Sequence, residues 1–321
     1  MRVAWPKVWR AAKVVLAVLI VGGVAWQFAK ILRRPELWAQ PLRPDFGWLA
    51  LAAAAYMAAF CFWGSFWVRL VRGFGQPLPW LAGASAYFAS QLGKYVPGKA
   101  LAIVLRVAFA RSAGVRTEVG VITALYETLT SMAAGALVAA ILIPILKSDQ
   151  SALGWKALGL LAIAGVPILP GVFNRLAARA AKPFLPKDAP PLPRLRISTL
   201  AGGIVQTAVG WFFLGASLLA VLLALRPDSV DVSAGFWLVC TAYVAVAYVA
   251  GFIALPTPGG LGVREVIMQT FLAAELAPRL GEESEPLAVL VVLLLRLVWT
   301  VTELSLAAGC FAAHRLSKAR P

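Results

Sequence analysis

Gly93-Lys94-Tyr95-Val96-Pro97-Gly98-Lys99 and Pro256-Thr257-Pro258-Gly259-Gly260-Leu261-Gly262-Val263-Arg264-Glu265 decide how this chain is read. Each stretch interrupts a long apolar run with Pro-Gly and ionisable side chains. A helix cannot run on through Pro-Gly, because proline lacks an amide donor and clashes with the preceding turn. In hydrocarbon a broken helix persists only where protein or a water-filled cavity covers its freed backbone groups. A break that also carries Lys, Arg and Glu points to a site built from discontinuous helices, as in secondary transporters.

The surroundings of these breaks read as membrane. Of 321 residues, 61% are hydrophobic and only 14% charged, and the mean hydropathy is +0.81. A water-soluble chain of this length needs far more polar surface, so the fold class is an all-α polytopic integral membrane protein. The net charge of +16 does not indicate a nucleic-acid partner. Its basic residues lie between apolar segments, where they orient helices and meet anionic lipid headgroups.

Cys61, Cys240 and Cys310 lie within apolar runs, and the single histidine, His314, stands near the C-terminus. That inventory builds neither a nucleophile–base pair nor a metal cluster. No enzymatic activity, cofactor or metal is expected, and any catalysis would have to use carboxylates, Lys or Arg. The N-terminal basic residues and the apolar stretch after them read as an uncleaved first span.

Six segments supply the roughly 20 apolar residues that a span requires: 13–32, 48–71, 117–146, 153–173, 197–225 and 286–312. Pro144, Pro167 and Pro170 should kink or end their helices, and 174–196 reads as a polar linker. The halves 80–92 and 98–111 make only about 20 Å of helix each, which fits a re-entrant hairpin (80–111) with Pro97-Gly98 at its tip. The second region, 235–277, is ambiguous, because its first half is long enough to span.

Charge favours a hairpin there too. With the N-terminus inside and both regions returning to the side they left, every inside segment is basic. The outside segments are then neutral or acidic except 30–45, as the positive-inside rule requires. The chain then forms a single transmembrane domain over 1–321. Its halves, 13–146 and 153–312, each contain a hairpin, and the hairpins have opposite orientation. Such an inverted repeat is the usual basis of alternating access. Two full spans at 235–277 remain the other reading.

Eight ionisable residues fall at membrane depth: Lys94, Lys99, Arg106, Glu127, Arg264, Glu265, Arg296 and Glu303. Facing lipid, they would cost roughly 20–28 kcal/mol together. Arg296, Thr300 and Glu303 share one helical face. Both Pro-Gly pairs precede a half-helix, whose N-terminal amides favour anions. Lys94, Pro97, Gly98, Lys99, Arg106, Pro258, Gly259, Gly260 and Arg264 are therefore the expected headgroup-binding set. Glu127, Glu265, Arg296 and Glu303 form the expected coupling network. A blander reading places Pro97-Gly98 in a solvated loop, and another has Arg296 and Glu303 only lock the bundle by pairing with Glu127 and a hairpin cation. The 12 tryptophans, notably Trp5, Trp9, Trp48, Trp80 and Trp155, read as interfacial anchors.

At these motifs the sequence resembles the flippase-like membrane domain of the lysylphosphatidylglycerol synthases, the multiple peptide resistance factor family. The likeness rests on Gly93 to Lys99 with Arg106 and Glu127, on Pro258 to Glu265, and on Arg296 with Glu303. It covers roughly 13–312. The resemblance implies a bacterial or archaeal plasma-membrane protein that moves or holds a lipid headgroup between leaflets, and the charge pattern puts both termini in the cytoplasm. The full synthases carry a soluble aminoacyl-transferase domain after the membrane part, which is absent from this sequence. The expected function is thus that of a flippase-like lipid transporter for an anionic phospholipid or polyprenyl phosphate. The alternative is a non-transporting accessory subunit of an envelope lipid or glycan enzyme. Membrane lipids are the expected partners, with a second copy or a biosynthetic enzyme as further candidates.

Overall fold

The computed structural model describes residues 44–95, 100–147, 151–181, 194–253 and 262–319, with isolated positions at 22, 26, 29 and 33. The expected first span lies almost wholly outside these residues, and both Pro-Gly pairs lie outside them entirely. In chain order the helices are α1 (Phe46–Gly73), α2 (Trp80–Gln91, continued by a 3-10 turn Leu92–Tyr95), α3 (Ala100–Ser112), α4 (Thr117–Leu146), α5 (Ser151–Gly165), α6 (Pro170–Ala181), α7 (Ile197–Leu225), α8 (Ala234–Ile253), α9 (Val263–Leu280) and α10 (Ser284–Ala319). No strand occurs among the described residues. Five segments are long and apolar enough to cross a membrane, or six if α5 and α6 are one broken span. The chain is an all-α, multi-pass membrane protein.

α1 and α7 form the spine. Between membrane helices there is little hydrophobic drive, so close packing of small residues and hydrogen bonds must hold them. Gly203 and Gly210, seven residues apart on α7, lie against Phe66 and Trp63; a Cβ there would come within 2.4 and 2.3 Å of those rings. The Trp63 indole donates to the Thr207 carbonyl at 2.9 Å, and Ser217 donates to the Ala52 carbonyl at 2.8 Å. Trp211 extends the seam to α4 by donating to the Ser131 carbonyl at 2.8 Å. Trp299 of α10 donates to Ser217 at 2.9 Å.

These indoles correct the reading of the tryptophans. Trp80 and Trp155 are exposed as anchors should be, but Trp63, Trp67, Trp211 and Trp299 are buried. Three of the four find a hydrogen-bond acceptor inside the bundle, which a buried indole N–H requires.

The segment 153–173 is broken at the prolines expected to kink or end it. The helix stops at Gly165, passes through a 3-10 turn over Val166–Ile168, and restarts as α6 at an angle of 59°. Pro167 and Pro170 remove two amide donors three residues apart, so a continuous ladder cannot form. α6 also occupies the first part of the expected linker 174–196. Pro144, by contrast, lies within α4, which runs two residues beyond it.

In each of the pairs α2–α3 and α8–α9, the start of the first helix lies beside the end of the second. Gln76, before α2, accepts the Arg116 amide, after α3, at 2.9 Å. On the second pair, Arg279 near the end of α9 bonds Asp231, just before α8. There Glu275 accepts from Lys147, which follows the last residue of α4, at 2.8 Å. Because Arg116 caps the opposite end of α4, the two pairs enter the bundle from opposite ends. At 20 residues, α8 is long enough to span, as the sequence allowed.

Candidate functional site

The two pairs meet at α10, and three buried acid–base clusters form around them, two of which include a residue of one α10 face and one of which joins α3 to α4. In the first, Arg106 Nη1 on α3 meets Glu127 Oε2 on α4 at 2.6 Å. Tyr87 donates to the other carboxylate oxygen at 3.1 Å, and Arg106 Nε donates to Ser90 at 3.3 Å. The guanidinium lies 4.2 Å from the Tyr87 ring centroid. Arg106 is 4% exposed and Glu127 2%, so Arg106 does not sit in a solvated loop.

In the second cluster, Glu303 of α10 receives Lys94 and Tyr56 on Oε1 and Tyr95, at 2.7 Å, on Oε2. Lys94 and Tyr95 belong to the 3-10 turn that ends α2. This turn reaches α10 because Gly93 lies against the α3 backbone; a Cβ there would stand 2.7 Å from the Ala102 nitrogen. Lys94 is the most open member, its side chain 22% exposed against 3% for Glu303.

In the third cluster, Glu265 opens α9. Its carboxylate accepts the Gly262 amide at 2.7 Å, Arg264 Nη2 at 2.8 Å and Arg296 Nε of α10 at 3.3 Å. Gly262 caps the helix at φ +90°, a region that a side chain rarely adopts. The Arg264 guanidinium stands 4.4 Å from the Tyr248 ring and 5.9 Å from Trp299.

Aromatic rings join the clusters. Trp299 stacks on Tyr56 with centroids 4.9 Å apart at 18° and meets Tyr248 at 5.8 Å. Phe60 bridges Tyr56 to Tyr87. Tyr56 lies about 15 Å into α1 from its start, so Lys94 and Arg264 reach a common level inside the bundle from opposite ends.

Residues 13–304 match the model of the lysylphosphatidylglycerol synthase TM region. The chain belongs to this family. No curated protein matches it. Membership in the lysylphosphatidylglycerol synthase TM region family makes it a membrane protein of lipid metabolism or transport.

In this family member, Lys94, Arg106 and Arg264 of the expected binding set are brought together with all four residues of the expected network, Glu127, Glu265, Arg296 and Glu303. Pro97, Gly98, Lys99, Pro258, Gly259 and Gly260 lie outside the described residues. The pairing differs from the sequence-based alternative for Arg296 and Glu303. Glu303 does take a hairpin cation, Lys94, but Arg296 pairs with Glu265 rather than Glu127.

Sequence reasoning missed the phenols. Five of the six tyrosines touch a charged group: Tyr56 and Tyr95 on Glu303, Tyr87 on Glu127, Tyr243 on Glu275 at 2.7 Å, and Tyr248 under Arg264. The available signal was position. A tyrosine in the middle of an apolar span needs a partner for its hydroxyl, whereas a belt tyrosine sits at the end of one.

Proposed function

We propose that this protein is a flippase-like transporter that carries the headgroup of an anionic phospholipid or polyprenyl phosphate past the level where its two hairpins meet. In this reading α2–α3 and α8–α9 are re-entrant hairpins related as an inverted repeat, in a bacterial or archaeal plasma membrane with both termini in the cytoplasm. The observation that carries it is the convergence of Lys94 and Arg264, delivered from opposite ends, on the Arg296–Thr300–Glu303 face of α10. Each cation is neutralised by a carboxylate that a phosphate can replace with charge-assisted hydrogen bonds of the same kind. A phosphate at Lys94 releases Glu303, and one at Arg264 loosens Glu265 from Arg296, so binding at either hairpin alters the joint with α10. Lys99, Pro97, Gly98 and the Pro258-Gly259-Gly260 stretch complete the proposed headgroup set next to the starts of α3 and α9, whose free amides attract anions. Movement is downhill, or proton-coupled through Glu127 or Glu303.

The test uses purified protein in vesicles holding tail-labelled fluorescent phosphatidylglycerol and a membrane-impermeant quencher. Wild-type protein should speed loss of the inner-leaflet signal. Lys94→Met and Arg264→Met should abolish that gain while remaining folded. Folded wild-type protein that accelerates neither this lipid nor a polyprenyl phosphate would rule out transport. The near-complete burial of the pairs suits the second reading, an accessory subunit with a closed core. That reading gains if the same assay is silent and a lipid or glycan enzyme copurifies.

A further inference from the structure

A second lipid-facing feature lies away from the central clusters. On the outer side of α4, Thr117, Val121 and Leu125 follow one another at four-residue intervals and form a ridge. An apolar cleft of about 670 Å³ runs along one flank, walled by Ile122, Leu129, Phe173, Leu176 and Ala177. On the other flank a cleft of about 770 Å³ is walled by Ile103, Val104, Val107 and Ala108 of α3. The same three ridge residues line both. The first cleft exists because α6 bends 59° from the line of α5, which packs along α4.

Both clefts start at the end of α4 where Arg111 and Arg116 stand. Arg111 is exposed and lines the second cleft. Arg116 Nε is buried with no hydrogen-bond partner among the described residues. Glu118 is the one acidic residue among the side chains that line the first cleft. From Thr117 to Leu129 the first cleft runs about 18 Å along α4, close to one leaflet of a hydrocarbon core roughly 30 Å thick.

We propose that this ridge is a docking site for one diacyl anionic phospholipid. One acyl chain fills each cleft, and the headgroup phosphate lies against Arg111 and Arg116. Two chains explain why two apolar clefts share a ridge and a mouth, and the basic rim selects an anionic over a zwitterionic headgroup. The site does not depend on the transport reading, because it shares no residue with the central clusters. It nonetheless touches the helices that hold them: Arg106 adjoins Val107 on α3, and Glu127 follows Leu125 on α4. Occupancy therefore bears on the Arg106–Glu127 pair through two rigid helices.

The experiment places full-length protein in phosphatidylcholine vesicles containing phosphatidylglycerol with photoactivatable acyl chains, then maps the adducts by mass spectrometry. Adducts should fall on both flanks, at Val107 and at Leu176, as well as on Val121 and Leu125. Arg111→Ala with Arg116→Ala should reduce phosphatidylglycerol adducts roughly tenfold and leave those of a photoactivatable phosphatidylcholine unchanged. Leu125→Trp, at an exposed position, should block both clefts with the arginines intact. Equal capture of the two lipids, adducts spread round the whole bundle, or labelling of a single cleft would overturn the proposal. Movement of fluorescent lipid, measured in parallel on Lys94→Met, separates failure at the central site from failure at the ridge.

Discussion

The α2–α3 pair sends its cations to carboxylates on other helices, Lys94 to Glu303 of α10 and Arg106 to Glu127 of α4. At the level of the central clusters the α8–α9 pair keeps Arg264 and Glu265 on adjacent residues, with an additional contact from Arg296 of α10. The first hairpin is therefore electrically incomplete without its neighbours, while the second carries its own neutral pair. Removing a partner from outside should strand a buried charge in the first case and leave a paired one in the second.

The largest expected effect is at Glu127. Glu127→Gln leaves Arg106 as an uncompensated buried cation, a change that typically costs about 3–5 kcal/mol. Thermal unfolding in detergent should register this as a large fall in stability, and adding Arg106→Met should recover much of it. Strictly additive losses in that double variant would break the assignment.

Glu303→Gln should cost less, about 1.5–3 kcal/mol, because Lys94 retains partial access to solvent. Lys94→Met should rescue Glu303→Gln, and Arg296→Gln should not. Rescue by Arg296 instead would mean that the two α10 charges share one network.

On the same helix, Arg296→Gln should cost only about 1 kcal/mol, since Arg264 still holds Glu265. A loss as large as that of Glu303→Gln would show that the second hairpin is no more self-sufficient than the first. The smallest effect belongs to the latch at the far end of α4. Lys147→Gln should change stability by about 0–1 kcal/mol, and by less at high salt, because both partners of the Lys147–Glu275 pair are partly solvated.

Helices α1, α4 and α7 were legible to within a few residues, because a run of apolar residues bounded by Asp45, Arg116 or Arg196 has few ways to arrange itself in a bilayer. The break at Leu169 was half legible. Pro167 and Pro170 announced a disturbance, but the averaged hydropathy of 153–173 still resembled one span. The charged residues of the site were legible from their cost in hydrocarbon, and their pairing was not. Lys94 and Glu303 are 209 residues apart, and only the packing of α2 against α10 brings them together. The buried indoles were misread because tryptophan composition speaks of interfaces, whereas glycines on α7 create the hollows that admit Trp63 and Phe66.

The glycine–aromatic seam between α1 and α7 has a practical consequence for spectroscopy. Rings seated on bare α-carbons leave no slack for one helix to slide along the other, so the two together form a fixed frame. Spin labels placed on the outward faces of α1 and α7 should keep a constant separation whatever lipid is added. Labels on α3 or α9 can then be triangulated against that frame, and any change in their distances belongs to the hairpins alone.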